Sequence, residues 1–220
     1  MKLLAGVIGV ALLGTATQVS AETIKFAIVR NGEQIGTHTM EINRAGPETS
    51  VKILTDLNVK VLFITAYRLQ HKATERWVGG RLVALSSNTD NNGTLHTVSV
   101  SETSSGVEVR ADGKAAKAER NLMPGSLWNQ ELLSRSVMLD AQDGSILPLS
   151  VVDHGNKQIT VKSRTVKAHH YTLKSKWTQD VWYDEQQRLV HASLVASDGS
   201  VILYQLLSDL DEPRKVSAVR

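Results

Sequence analysis

The most informative absence in this chain of 220 residues is cysteine, of which it has none. Without thiolates the protein has no disulfide framework, no thiolate nucleophile, and no zinc–thiolate or iron–sulfur site. Runs of like charge are also absent, since lysines and arginines are scattered singly among acids. Nucleic-acid binding usually requires a clustered basic stripe. We therefore expect a globular protein with neither thiol chemistry nor a nucleic-acid partner.

The first 21 residues predict a secretory signal peptide. Lys2 gives a basic start, residues 3–13 are apolar apart from two glycines, and residues 19–21 are small or uncharged. A run of about eleven apolar residues is shorter than the roughly 20 that a membrane-spanning helix needs, although an uncleaved anchor is the alternative. We expect cleavage after Ala21, export to the periplasm, and a soluble mature chain without a transmembrane segment or a lipid-bearing cysteine. Loss of Lys2 lowers the formal net charge of +3 by one, so this mature chain is close to neutral.

Turn residues punctuate the rest of the chain and separate short runs rich in Val, Ile, Thr and Leu. Asn-Gly or Asp-Gly pairs occur at 31–32, 112–113, 143–144 and 198–199, and such pairs favour tight antiparallel hairpins. Apolar residues alternate with polar ones over 51–63 and 67–77, which indicates two long strands. Further strands are expected along the chain, one of them over 158–166.

The predicted fold is mainly β. We expect a single strongly curved antiparallel sheet of about ten strands, from a half-barrel to a nearly closed barrel, because closure removes exposed edges. No stretch long enough for a βαβ crossover recurs, which disfavours a parallel sheet. Residues 22–208 are expected to form one β-rich domain, followed by a flexible polar tail over 209–220.

One segment breaks the strand pattern. Between residues 122 and 139, Ser126 is placed to cap a helix, and Trp128 and Leu132 lie one helical turn apart. We predict one short helix over residues 127–133 with Ser126 as its N-cap. Such a helix would cover the concave face of the sheet or plug its mouth.

Five passages of the chain resemble an uncharacterised family of proteobacterial secreted proteins, a domain of unknown function. They are residues 31–36, 59–63, 75–77, 123–129 and 180–184. The opening hairpin and the late strand with an aromatic and an acid are also similar in outline to half-barrel proteins that carry lipoproteins or lipids across the periplasm. The resemblance covers nearly all of the mature chain. It implies location and fold, and it brings no reaction, cofactor or catalytic residue.

No catalytic or metal-binding motif is evident. No two histidines have the helical spacing of a zinc site, and His169 and His170 should point to opposite faces of one strand. Ser126 lacks the second glycine of a nucleophile elbow, and no glycine-rich phosphate loop is present. The sequence therefore predicts no catalytic residue, no metal ligand and no cofactor, although a metal site assembled from several strands stays open.

Aromatic and ionisable side chains that share strand faces suggest a ligand pocket. Its aromatic residues would be Trp77, Trp128, Trp182 and Tyr67, and its polar groups would be His71, Glu75 and Asp180. The alternative is an aromatic packed in the core beside a rim acid, Asp180, that pairs with Arg68 or Arg76.

These observations predict a non-enzymatic envelope protein. We expect it to bind a lipid, another hydrophobic small molecule or the acyl part of a partner between the concave face and the 127–133 helix. One alternative is a structural or assembly module that docks another envelope protein. A hydrolase-like enzyme that uses His71, Glu75 or Asp180 is the third class.

Overall fold

The protein consists almost entirely of β-strands. A computed structural model describes residues 18–62, 64–208 and 215–218, and in this part of the chain it contains sixteen strands and one short 3-10 helix. The first eight strands are β1 Gln18–Arg30, β2 Glu33–Ala45, β3 Glu48–Val61, β4 Ile64–Val78, β5 Arg81–Asn91, β6 Thr94–Glu102, β7 Val107–Ala111 and β8 Lys114–Ala118. The 3-10 helix Gln130–Ser134 follows, and then β9 Val137–Leu139, β10 Ile146–Pro148, β11 Ser150–Val161, β12 Arg164–Lys174, β13 Thr178–Asp184, β14 Leu189–Val195, β15 Val201–Leu206 and β16 Lys215–Ala218. The predicted mainly β class is confirmed.

Two antiparallel meanders join to form the main sheet. Strands β1–β8 follow one another in space, as do β11–β15, and the pairing of β1 with β15 links the two sets. The sheet order is therefore β11-β12-β13-β14-β15-β1-β2-β3-β4-β5-β6-β7-β8, with β16 also on β1 and β9–β10 as a separate pair. The prediction of one large curved antiparallel sheet is confirmed, although the sheet contains fourteen described strands where about ten were expected. Strands β8 and β11 are its two edges.

Most hairpins reverse where Asn-Gly or Asp-Gly pairs permit it. Asn31, Asn92 and Asp112 have φ angles of 52°, 52° and 49°, and each precedes a glycine with positive φ, as two-residue hairpin turns require. The turn between β11 and β12 is different, because Lys162 and Ser163 adopt φ angles of 48° and 63° without either residue pair. The predicted strand over 158–166 is therefore wrong at this point, since it runs through the turn.

The alternation in β3 and β4 gives the sheet one buried face, which we call the inner face. In β4 the residues Leu69, His71, Ala73, Glu75 and Trp77 are buried, and the side chains between them are mostly exposed. In β3 the residues Val51, Ile53 and Thr55 are buried in the same way. Directly paired residues point to the same side of a sheet, so the inner face can be followed through the register from β4 along the main sheet.

Residues 119–149 connect the edges β8 and β11, and we call them the crossing segment. Its residues Leu122, Met123, Leu132, Leu139 and Leu149 are buried in one core with the inner face. The crossing segment therefore covers part of the sheet, as predicted for its helix.

The helix itself is shorter than predicted. It spans Gln130–Ser134, and its N-cap is Asn129, whose side-chain oxygen accepts a hydrogen bond from the backbone N–H of Glu131. The predicted cap Ser126 is wrong because Leu127 has a φ angle of 65°, which is incompatible with a right-handed helix at that residue. Among the described residues, we find no helix with the length and apolar character to span a membrane.

The two ends of the described chain lie side by side. Residues Gln18–Ala21 of β1 pair with Lys215–Ala218, which form strand β16 where a flexible tail is predicted. Cleavage after Ala21 would remove every residue of β1 that pairs with β16. Residues 1–17, which hold most of the predicted signal peptide, and residues 209–214 and 219–220 of the tail lie outside the described residues. The domain bounds 22–208 and the signal peptide stay predictions.

Candidate functional site

The seven candidate residues fall into two groups on opposite faces of the sheet. Tyr67, His71, Glu75 and Trp77 lie on the inner side of β4, and Trp128 of the crossing segment packs against that side. On β13 the inner positions belong to Val181 and Tyr183, both fully buried. Asp180 and Trp182 therefore face the outer side. The predicted pocket with three tryptophans is wrong in this respect, because strand alternation separates Trp182 from the other two.

Glu75 links the sheet to the crossing segment. Its Oε2 accepts hydrogen bonds from Trp77 Nε1 at 2.9 Å and from Trp128 Nε1 at 2.8 Å. The two indoles meet edge to face, with ring centroids 5.4 Å apart. Glu75 and Trp77 are 0% and 2% exposed, respectively. The structure thus brings three of the candidates together, in a closed cluster that fastens the crossing segment to β4.

Burial of the Glu75 carboxyl group disfavours its ionised form. Its Oε1 has no hydrogen-bond partner among the described residues, and burial raises the pKa of Glu75. The indole N–H groups of Trp128 and Trp77 and the hydroxyl of Ser126 lower the pKa, but burial is the largest influence. The folded protein therefore holds a proton at Glu75 to higher pH than the unfolded chain does.

We expect Glu75→Gln to change how stability depends on pH. With a raised pKa in the folded state, the wild-type protein loses unfolding free energy as pH rises from the unfolded pKa of about 4.5 through the folded pKa. The amide cannot ionise, so this loss is absent in the variant, and wild type becomes less stable relative to Glu75→Gln as pH rises. Urea unfolding of both proteins across this pH range measures the difference.

Trp128→Phe should change the pH dependence in the opposite direction to Glu75→Gln, in the same measurement. It removes one donor that favours the ionised form of Glu75, so the loss of stability with rising pH should become steeper. A wild-type protein and a Glu75→Gln variant with parallel pH profiles would contradict this interpretation.

A second polar row crosses the inner face beside this cluster. The register pairs His38 with Thr55, Thr55 with His71, and His71 with Thr89 across strands β2 to β5. His38 Nδ1 lies 2.8 Å from Thr55 Oγ1, and His71 Nδ1 lies 2.9 Å from Thr89 Oγ1. Burial lowers the pKa of each histidine to about 4, and the nearby His71 makes a smaller contribution to this value for His38. Both rings are therefore neutral at pH 7. His38 was not predicted; its only signal is a polar residue at an inner position of an alternating strand.

One end of the inner face is only half-covered, and we call it the open end. It carries the half-buried side chains Leu57, Val59, Tyr67, Ile202 and Tyr204. Tyr204 contacts the rings of Phe26 and His38, and the Tyr67 hydroxyl donates to Asn91 Oδ1 at 2.9 Å. Burial and the nearby Tyr67 raise the pKa of Tyr204 to about 12. The open end therefore presents neutral aromatic and aliphatic groups.

Strands β3 and β4 extend beyond this open end as a two-stranded arm. Pairing of β2 with β3 reaches Leu57, and pairing of β5 with β4 reaches Leu69, whereas β3 and β4 continue to pair as far as Val61 and Ile64. At the end of the arm, Leu62 is 86% exposed and Ile64 is 73% exposed. Two exposed apolar side chains on the arm thus lie next to the half-buried apolar side chains of the open end.

On the outer face, Asp180 lies in a cluster with two histidines. His170 Nε2 lies 3.0 Å from Asp180 Oδ1, and the Thr172 hydroxyl donates to the same oxygen at 2.5 Å. His154 is the other histidine, 2.8 Å through its Nε2 from Thr172 Oγ1. The predicted alternative, in which Asp180 pairs with Arg68 or Arg76, is wrong because its partners lie on the adjacent strand β12. His169 and His170 do face opposite sides, since they pair with Tyr183 and Trp182, respectively.

Comparisons with known proteins agree with this fold. The family model described as Domain of unknown function (DUF6134) matches residues 26–207. No curated protein matches the sequence. A crystal structure of a beta-barrel-like protein of the domain of unknown function DUF1849 from Brucella abortus is similar, with a TM-score of 0.62 over 88% of this chain and 96% of that chain. The identity is 8%, so the similarity concerns the fold alone.

Proposed function

We propose that this chain, which belongs to the family described as Domain of unknown function (DUF6134), is an exported envelope protein. We further propose that it binds an apolar ligand at the open end of its sheet. The ligand class is a lipid or the acyl part of a partner. The observation that carries the proposal is that exposed apolar side chains on the arm adjoin half-buried apolar side chains at the open end. Large contiguous apolar patches on soluble proteins generally mark binding sites.

The position of this site differs from the one expected from the sequence. The cluster of Glu75, Trp77 and Trp128 is closed by the crossing segment, and both indole N–H groups bind Glu75 within the cluster. Leu57, Val59 and Tyr204 lie on the same inner face but are only half-buried. An acyl chain placed over them would bury apolar surface at roughly 25 cal/mol per Å².

The arm supports the ligand class. Leu62 and Ile64 project from the end of the sheet next to the open end. An apolar ligand is poorly soluble, so it has to be collected from a membrane or from another protein. Exposed apolar side chains on a protruding hairpin provide a surface for that contact.

Export is supported by the sequence of residues 1–21, with its basic start, apolar run and small residues before the predicted cleavage site. Periplasmic localisation after cleavage at Ala21 belongs to the same proposal. A protease-protection assay on intact and permeabilised cells would test it.

Docking of another envelope protein is less well supported. Strand addition would use the sheet edges β8 and β11. Strand β8 carries Lys114 and Lys117, and β11 has a register shift between Asp153 and Asn156. Lysines and bulges on edge strands disfavour pairing with another chain.

The enzyme alternative would need its polar residues in one place. His71 and Glu75 face inwards on β4, whereas Asp180 faces outwards on β13. The three residues named for that alternative therefore do not share a site.

A fluorescent long-chain fatty acid titrated into the purified protein tests the proposed site. We expect saturable binding that Val59→Asp weakens at least about tenfold, because a carboxylate would lie against the acyl chain. Leu54→Asp is the matched control, since Leu54 is on the same strand but on the outer face and is already exposed. Binding that is absent, or that both variants affect equally, would contradict the proposal.

A further inference from the structure

Three side chains with metal-binding groups converge on the outer face of three neighbouring strands. His154 of β11, His170 of β12 and Asp180 of β13 each offer one ligand atom, and these atoms all lie within 4.8 Å of one another. Among the described residues, no other group of three or more histidine, aspartate or glutamate side chains meets this distance limit. We propose that these three residues bind a divalent transition-metal ion such as Zn²⁺. The site lies on the opposite face of the sheet from the proposed apolar site and is independent of it.

The residue types and spacing fit such an ion. Two imidazoles and one carboxylate are ligands that Zn²⁺ commonly takes when it keeps a further position open for water. With metal–ligand distances of about 2.0–2.2 Å in a tetrahedron, neighbouring ligand atoms lie about 3.4 Å apart. His170 Nε2 and Asp180 Oδ1 are already 3.0 Å apart. His154 is exposed, so rotation of its side chain can shorten the remaining separations.

A β-bulge in β11 places His154 over the other two residues. Pairing between β11 and β12 shifts between Asp153 and Asn156, and Gly155 has a φ angle of 71°. The Asp153 carboxylate accepts a hydrogen bond from the Gly155 N–H at 2.7 Å, which holds this conformation. As a result, the His154 ring stacks on the His170 ring with centroids 4.4 Å apart. Bulges of this kind redirect side chains, and they are frequent beside functional sites.

Neighbouring side chains hold the ligands in place. The Thr172 hydroxyl donates to Asp180 at 2.5 Å. The Trp182 ring lies parallel to His170, at an interplanar angle of 4° and a centroid distance of 4.4 Å. Groups that orient metal ligands in this way typically strengthen metal binding, and their loss costs about 10–100-fold in affinity.

Equilibrium dialysis against Zn²⁺ tests the site, with protein that is purified without a histidine tag and treated with a chelator. We expect one Zn²⁺ per chain, and we expect His154→Gln and Asp180→Asn each to weaken binding at least about tenfold. His154 is exposed on an edge strand, so its substitution should leave folding intact. The matched control is His96→Gln, because His96 also contacts an aspartate, Asp112, but lies on β6, away from the three ligand strands.

Fluorescence gives a second readout. Cu²⁺ bound at the same ligands would quench Trp182, which stacks on His170. We expect saturable quenching in the wild-type protein, its loss in His154→Gln, and its retention in His96→Gln. Absence of saturable Zn²⁺ binding would overturn the proposal. Binding that survives both His154→Gln and Asp180→Asn, or that His96→Gln abolishes, would also overturn it.

Discussion

Lowering the pH from 7 to 4 should cost the folded protein several kcal/mol of unfolding free energy through His38 and His71. Both histidines have folded-state pKa values of about 4, against 6.5 for an ordinary histidine. Their contribution to stability is complete above pH 6.5 and is lost as pH falls through 6.5 towards 4, because the unfolded chain takes up protons first. A shift of this size corresponds to about 3 kcal/mol for one histidine. Total stabilities are typically about 5–15 kcal/mol, so the effect is large.

Chemical denaturation of the wild-type protein and His71→Asn across this pH range checks the expectation. The variant should be less sensitive to acid by about 3 kcal/mol, because asparagine does not titrate. Carboxyl groups such as Glu75 and Asp140 are common to both proteins, so their own pH dependence largely cancels in the difference.

Thr89→Val is the matched control for the acid experiment. It removes the hydroxyl beside His71 but leaves the imidazole in place. We expect lower stability at every pH, by about 1 kcal/mol, with the same sensitivity to acid. If His71→Asn lost as much stability in acid as the wild-type protein, protonation of His71 would not be the cause of the acid sensitivity.

Leu139→Ala should destabilise the protein by about 2–5 kcal/mol. Leu139 belongs to the crossing segment and is 0% exposed. Its backbone N–H donates to the Met123 carbonyl at 2.8 Å, and its own carbonyl accepts from Gly125 at 2.9 Å. Truncation of the Leu139 side chain therefore leaves a cavity between the sheet and the crossing segment, because these two hydrogen bonds hold the backbone at Leu139 in place.

Leu62→Ala is the matched control for Leu139→Ala, since it makes the same chemical change at the exposed end of the arm. Leu62 is 86% exposed, so we expect a change within about 0.5 kcal/mol. Urea unfolding of the two variants beside the wild-type protein provides the comparison. Equal effects in both would mean that the crossing segment is not part of the core.

The long strands could be predicted from the sequence because their alternation is local. Val51, Ile53 and Thr55 are buried between exposed neighbours, as a period of two requires. The hairpins after Arg30 and Asn91 could be predicted in the same way, because Asn-Gly pairs favour the observed positive φ angles. The turn at Lys162–Ser163 could not, because neither residue carries a local preference for that conformation.

Contacts between residues far apart in the sequence could not be predicted in the same way. The distance from Trp128 to Glu75 depends on a segment that crosses from one sheet edge to the other, and the strand order that places those edges has no local signal. The placement of Trp182 shows the same difficulty. Residues two apart in a strand share a face, as Asp180 and Trp182 do, but which face of β13 lies inwards depends on its pairing with β12 and β14.

The cluster of His154, His170 and Asp180 was missed for a related reason. Two residues, His154 and Gly155, form a bulge between the paired positions Asp153 and Asn156. A histidine in a polar stretch gives no sign that a bulge will place it over the neighbouring strand. Only the register between strands shows that the three side chains meet.

Native mass spectrometry of the purified protein, after incubation with a total lipid extract, tests ligand binding at the open end most directly. We predict a species whose excess mass matches one lipid, lost in Val59→Asp and retained in Leu54→Asp. A wild-type protein that carries no such mass, or an adduct that persists unchanged in Val59→Asp, would contradict binding at this site.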